Sequence, residues 1–371
     1  LTTRPRSKRS GALDQLAAEG VGLWLDDYHR GRLADGSLER LVADGLVGGV
    51  ISRPAAVARV MSGTTAYRNQ LNRLPDAASS AEERVYALIA EDARAACAAL
   101  EPVFRATGGM HGWVSLGIAP RLAADAKAMV DHSRRLAEAV GRPNLLIRIP
   151  VSGQGLAAAG DLLAHRVGVH VTSVFSVRRY AQAVDTYFRG LERALADGHA
   201  ASGVTSLVSL DTGHLNARVD ALLDGSTAPC AAELRGQAGV ATARLVYRRY
   251  EESLGCSRWR SLVADGARPQ RLLWTSENAS ESPRTALDRV GRIIAWMTLH
   301  ALPQAALEAL DRREGFHGDT LSGEHGSARR VMDALGRAGI VVDSLAHDLE
   351  AAAAERERAA WDELLALVQA G

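Results

Sequence analysis

Eight short apolar runs alternate with long Ala/Leu/Arg segments of helical period, and this alternation constrains the fold of the chain more than anything else in it. The runs are Val21–Leu25, Val47–Ile51, Trp113–Ile118, Leu145–Ile149, Val167–Thr172, Thr205–Leu210, Arg271–Trp274 and Ile293–Leu299. Most are apolar at successive positions, as strands are when helices cover both faces of a parallel sheet. Between them, Ala81–Phe104 opens on Glu82 and Glu83, and Leu122–Val140 stops at Gly141 with Pro143 beyond. Ser176–Ala196 stops at Gly198, Cys230–Leu254 stops at Gly255, and Ser344–Ala370 closes the chain with an apolar stripe of Trp361, Leu364, Leu365 and Val368. Eight strand–helix units in about 300 residues predict a (β/α)8 TIM barrel with extra helices. A doubly wound open sheet is the alternative, but no GxGxxG follows the first strand.

The 371 residues show no Pro/Gly/Ser linker, so residues 13–371 are expected to form one barrel domain with a C-terminal helix. Residues 1–12 carry Arg4, Arg6, Lys8 and Arg9 without a following apolar segment and are expected to be a disordered basic arm. A formal net charge of +1 provides no global field for nucleic acid or an anionic membrane. No run of ~18 apolar residues suggests a membrane span. Cys97, Cys230 and Cys256 lack CxxC spacing and suit a reducing cytoplasm, as small buried hydrophobes. No metal or cofactor is expected, since no HExxH or similar ligand spacing occurs. Monomer and homodimer remain equally open.

In a barrel of this kind the chemistry sits at the C-terminal strand ends. Those positions hold Asp26 and Asp27, Ser52 and Arg53, Gly117, Arg148, His170 and Thr172, Ser209 and Asp211, Thr275 and Ser276, and Thr298 or His300. Arg148 interrupts Leu145-Leu146-Ile147 and Ile149-Pro150, where a central strand should be apolar. A buried guanidinium without a partner costs several kcal/mol, so it must find a carboxylate or an anionic ligand. Asp26 is the expected partner. Of the two adjacent carboxylates only one can point into the barrel. His170, between Val169 and Val171, is expected to face inward as a core residue or as a base. Ser209, His170 and Asp26 could compose a triad, but no GxSxG turn supports it.

These strand ends resemble transaldolase in its actinobacterial and plant-type form, over about Leu13 to Leu367. The resemblance is carried by Leu23-Trp24-Leu25-Asp26-Asp27, by residues 142–150 (RPNLLIRIP) and by residues 169–176 (VHVTSVFS). Residues 235–241 (RGQAGVA), Arg268-Pro269-Gln270-Arg271 and Gly318-Asp319-Thr320 extend it. It implies a class I, Schiff-base (β/α)8 enzyme that moves a dihydroxyacetone unit between sugar phosphates. The chemical positions, however, have changed. The family's Schiff-base lysine matches Arg148 and its acid–base glutamate matches Gly117. An asparagine after the second strand matches Arg53, and one on the fifth matches His170. Asp26, matching the acid–base aspartate, and Thr172 survive. Ser209 matches a substrate-contacting serine and Arg218 a phosphate-binding arginine, across a segment that looks longer here.

Lysine occurs only at Lys8 and Lys127, so 42 of 44 basic residues are arginine. Arginine stays protonated and is a poor nucleophile, so it forms no imine. Lys127 is expected to face solvent on the helix after the third strand. Against the family pattern the mouth gains about two positive charges, which suits an anion held in bidentate fashion. Three readings follow. The first is a repurposed, imine-independent enzyme on a phosphorylated or carboxylated small molecule, of the kind a specialised biosynthetic pathway would use. It binds substrate through Arg53, Arg148, Ser209 and Arg218 and catalyses with Asp26, His170 and Thr172. The second is a catalytically silent, transaldolase-like sensor or scaffold. Residual transaldolase activity is the third and least favoured.

Overall fold

The computed structural model describes residues 11–74, 80–276 and 281–370. Eight parallel strands close on one another in sequence order: β1 (Gly22–Tyr28), β2 (Gly49–Ser52), β3 (Trp113–Gly117), β4 (Leu145–Pro150), β5 (Val169–Val174), β6 (Ser206–Asp211), β7 (Arg271–Thr275) and β8 (Thr298–Leu302). Closure comes from β8 pairing with β1, Leu299 opposite Gly22 and Leu302 opposite Leu25. The barrel therefore displaces the open-sheet alternative.

Seven of the eight apolar runs lie within three residues of their strands at either end, and the eighth does not. Ile293, Ile294 and Ala295 are fully buried, yet they lie between the helix Pro283–Arg292 and β8. Met297 then takes a left-handed φ of 63° before the chain enters the strand at Thr298. Thr298 is thus the first residue of β8, not a position at its C-terminal end. The expected helix Cys230–Leu254 is also divided, into Ala231–Leu234 and Ala238–Gly255. The break falls at Gly236, whose φ of 67° suits glycine and ends helical periodicity.

The other helices begin and end for visible reasons. Ser80 and Glu83 exchange the reciprocal bonds of a capping box at the start of Ala81–Ala106. Asp125 caps Ala126–Val140, which stops at left-handed Gly141. Residues 11 and 12, assigned above to a disordered arm, belong to the helix Gly11–Ala18; the rest of that arm lies outside the described residues. Cys97 is buried as expected, whereas Cys230 and Cys256 are only half-buried. None of the described helices is long and apolar enough to cross a membrane.

The barrel interior is filled from below by Trp24, Ile51, Trp113, Leu146, Leu207, Leu273, Leu299 and Ala301. Gly49 makes room for the Trp24 indole, since a Cβ there would meet it at 2.3 Å. The last helix, Val342–Ala370, lies across the C-terminal strand ends and is anchored on both sides. Ala346, Leu349 and Ala353 join one apolar cluster, while Trp361, Leu364 and Val368 join the main core.

Candidate functional site

Inward-facing residues alternate along each strand, so Trp24 brings Asp26 inward and Leu146 brings Arg148 inward. A bulge at the end of β1 separates the two adjacent aspartates. Asp27 takes a φ of 89° and accepts from Arg59 at 2.5 Å on the outside, leaving Asp26 in the barrel.

The expected Asp26–Arg148 pair does not form. Asp26 is gripped by Arg53, whose Nε and Nη2 donate to its two carboxylate oxygens at 2.5 and 3.0 Å. Arg53 immediately follows β2, next to β1 in the barrel, so its fork reaches Asp26 across one strand spacing. Arg148 instead donates through Nη1 to the Ser52 carbonyl at 2.7 Å and through Nη2 to Glu357 at 2.7 Å. Glu357 belongs to the C-terminal helix. The two arginines are thus joined at adjacent residues, Arg53 through its own fork and Arg148 through the carbonyl of Ser52. Arg53 and Arg148 are each hydrogen-bonded to a carboxylate, Asp26 and Glu357.

Gly117, opposite Arg148 in the β3–β4 register, allows this arrangement. A Cβ at position 117 would lie 3.2 Å from Arg148 Nη2, so the guanidinium rests against the bare glycine backbone. Gly117 and Arg148 are therefore one spatial unit.

Beside this unit lies a cavity of about 190 Å³ at the ends of β3, β4 and β5. Its wall includes Gly117, Arg148, Ser152, Thr172 and Ser173, and its lid is formed by Glu350, Ala353, Ala354, Glu357 and Arg358. The space has room for a small ligand. Ser173 has a φ of 63° at an irregularity in β5, an unfavourable conformation for a side chain of its kind. Glu350 is held in a two-bond pair with Arg179, both contacts 2.7 Å, and those bonds raise the Arg179 pKa further above its ordinary value.

Of the residues expected to compose the site, Arg148 and Thr172 line this cavity. Asp26 and Arg53 sit outside its lining as their own ion pair. His170 faces inward, as expected, but is 1% exposed: Nδ1 shares a hydrogen bond with Ser115 Oγ at 2.7 Å, and the ring stands edge-on to Trp24. Its hydrogen-bonded serine is therefore Ser115 and not Ser209, and Asp26 is committed to Arg53, so the triad does not assemble. Ser209 is buried on β6 away from the cavity, and Arg218 is exposed on Thr212–Asp224. Lys127 faces solvent as expected, its side chain 85% exposed beside Asp131.

Glu350 and Glu357 were missed. Their signal is present in the sequence: seven residues apart, they occupy one face of a helix together with Ala353.

Comparison over the whole sequence places the chain among known proteins. The family model described as Transaldolase/Fructose-6-phosphate aldolase matches residues 23–368. A protein named Transaldolase from Acidothermus cellulolyticus is 38% identical over 356 residues, covering 96% of this chain and 95% of that one. Those named Transaldolase from Frankia alni and Thermobifida fusca are 36% and 37% identical over 359 and 353 residues. They cover 97% and 95% of this chain, and 97% and 96% of their own lengths. On this match across nearly its whole length, the chain belongs to the transaldolase family.

Proposed function

We propose that this member of the family has left Schiff-base chemistry and uses the β3–β5 cavity to bind a small phosphorylated or carboxylated molecule. The observation that carries the reading is Arg148, at the lysine position and in the cavity wall, where a guanidinium can grip an oxyanion but cannot form an imine. Lys127 cannot replace the lost amine, because it lies on an outer helix, exposed to solvent.

Between a repurposed enzyme and a silent binder, the geometry favours the binder. Both oxygens of Asp26 are engaged by the Arg53 fork, and Asp26 has no place in the cavity wall. His170 has no place in the cavity wall, and Gly117 supplies no acid. What lines the cavity is the Arg148 guanidinium with the hydroxyls of Ser152, Thr172 and Ser173, a set that recognises an oxyanion and its neighbouring hydroxyls, beneath a lid that carries Glu350, Glu357 and Arg358.

A thermal-shift comparison of wild type and Arg148→Gln tests this, using inorganic phosphate, a ketose phosphate, a small carboxylate and a neutral sugar. A ligand at ~100 times its dissociation constant adds about 2.7 kcal/mol to the folded state. The expected result is a shift with one anion class, none with the neutral sugar, and none in the variant. A shift that survives Arg148→Gln, or an equal one from the neutral sugar, would contradict the proposal.

A further inference from the structure

The middle of the C-terminal helix is built unlike its ends. Ala346, Leu349 and Ala353 are buried before it, and Trp361, Leu364 and Val368 after it. From Ala354 to Ala360 no side chain is buried. These seven residues span about 10 Å at 1.5 Å each, and they pass over the cavity. Within the span, Glu357 makes the hydrogen-bonded tie to the barrel, while Arg358 pairs back to Glu355 on the helix itself. The helix is a bridge fixed at both ends, and Glu357 is its midspan contact.

The contact is made to the group that an anion would need. Arg148 is buried, its side chain 8% exposed, whereas Glu357 is 30% exposed and can return to water at modest cost. Glu350 is already committed to Arg179 and does not compete for Arg148.

We propose that Glu357 is a built-in counter-anion that determines which ligands enter the site. Its carboxylate holds the position on Arg148 Nη2 that the oxyanion of a phosphate or carboxylate ligand takes. Binding therefore exchanges one anion for another and loosens the Ala354–Ala360 span. A neutral ligand cannot displace it. This inference rests on the anion-binding reading above. It adds to that reading a competitor, the C-terminal helix, and a selection for anions able to make two hydrogen bonds to Arg148.

Inorganic phosphate is the probe, titrated by calorimetry into wild type, Glu357→Gln and the double variant Glu357→Gln/Arg148→Gln. The expected result is binding at least tenfold tighter in Glu357→Gln than in wild type, and lost in the double variant. Hydrogen exchange of residues 350–361 in the wild type is expected to quicken on adding phosphate. Equal affinity in wild type and Glu357→Gln, with binding still dependent on Arg148, would overturn the gating role and leave the anion site standing. Unchanged or slower exchange over that span at saturating phosphate would overturn it too. Absence of phosphate binding in every variant would sink the anion site and the gate together. Glu357→Gln keeps Arg148 and its bond to Ser52, so the main comparison does not depend on removing a buried arginine.

Discussion

Arg148 was legible in the sequence as a charge where a strand should be apolar, and its need for a partner followed from the cost of burying it. The partner was not legible. Glu357 stands 209 residues away in an Ala/Glu/Arg stretch that reads as a solvated helix face, and only the path of that helix over the mouth brings the two together. Asp26 misled for a related reason: a strand-end carboxylate has several cations within reach, and the adjacent strand won through Arg53. The Asp26–Arg53 pair, with side chains 10% and 16% exposed, carries its own test. Asp26→Ala removes the carboxylate held by both arms of the Arg53 fork and is expected to cost about 3 kcal/mol in chemical denaturation. Asp26→Ala/Arg53→Ala together should cost clearly less than the sum of the single changes. Additive single effects would show that the two side chains do not depend on each other.

At the level of elements, apolar runs located the strands because burial on both faces leaves little choice of residue. They failed at β8, where Ile293–Ala295 are equally apolar but fill the turn before the strand. His300 follows from the corrected strand: it lies within β8, fully buried, instead of at the mouth. Burial, reinforced by the nearby charge of Arg289, pushes its pKa down to about 3. His111, just before β3, is pushed down to about 4 by burial and by Arg271. Both are held neutral in the fold at pH values where an unfolded chain, near 6.5, takes up a proton. Stability is therefore full above about pH 6.5 and falls as pH drops toward 4, because the unfolded state binds more protons. The contribution of His300 and His111 to the slope approaches two protons, about 2.7 kcal/mol per pH unit, in urea denaturation at pH 6, 5 and 4.5. Half-buried His29 and His132, also shifted down by burial, add in the same sense. A flat profile over that range would mean that the imidazoles of His300 and His111 are hydrated and charged in the folded protein.

For the whole molecule, the closed eight-stranded barrel goes with a match to the transaldolase family over residues 23–368. The fold was legible almost completely, since it depends on periodicity repeated eight times. The mouth was legible only in which residues stand at the strand ends, because chemistry there depends on pairings between strands and a distant helix. Those pairings, Asp26 with Arg53 and Glu357 with Arg148, lie beside a cavity with room for a small ligand. The central claim is that such a mouth forms no imine. Incubation with a ketose phosphate, reduction with borohydride and intact-mass measurement test it most directly. The protein is predicted to keep its unmodified mass, under conditions where a transaldolase bearing the strand lysine gains the mass of the trapped sugar. A stoichiometric adduct mapping to Lys127 or Lys8 would contradict the account.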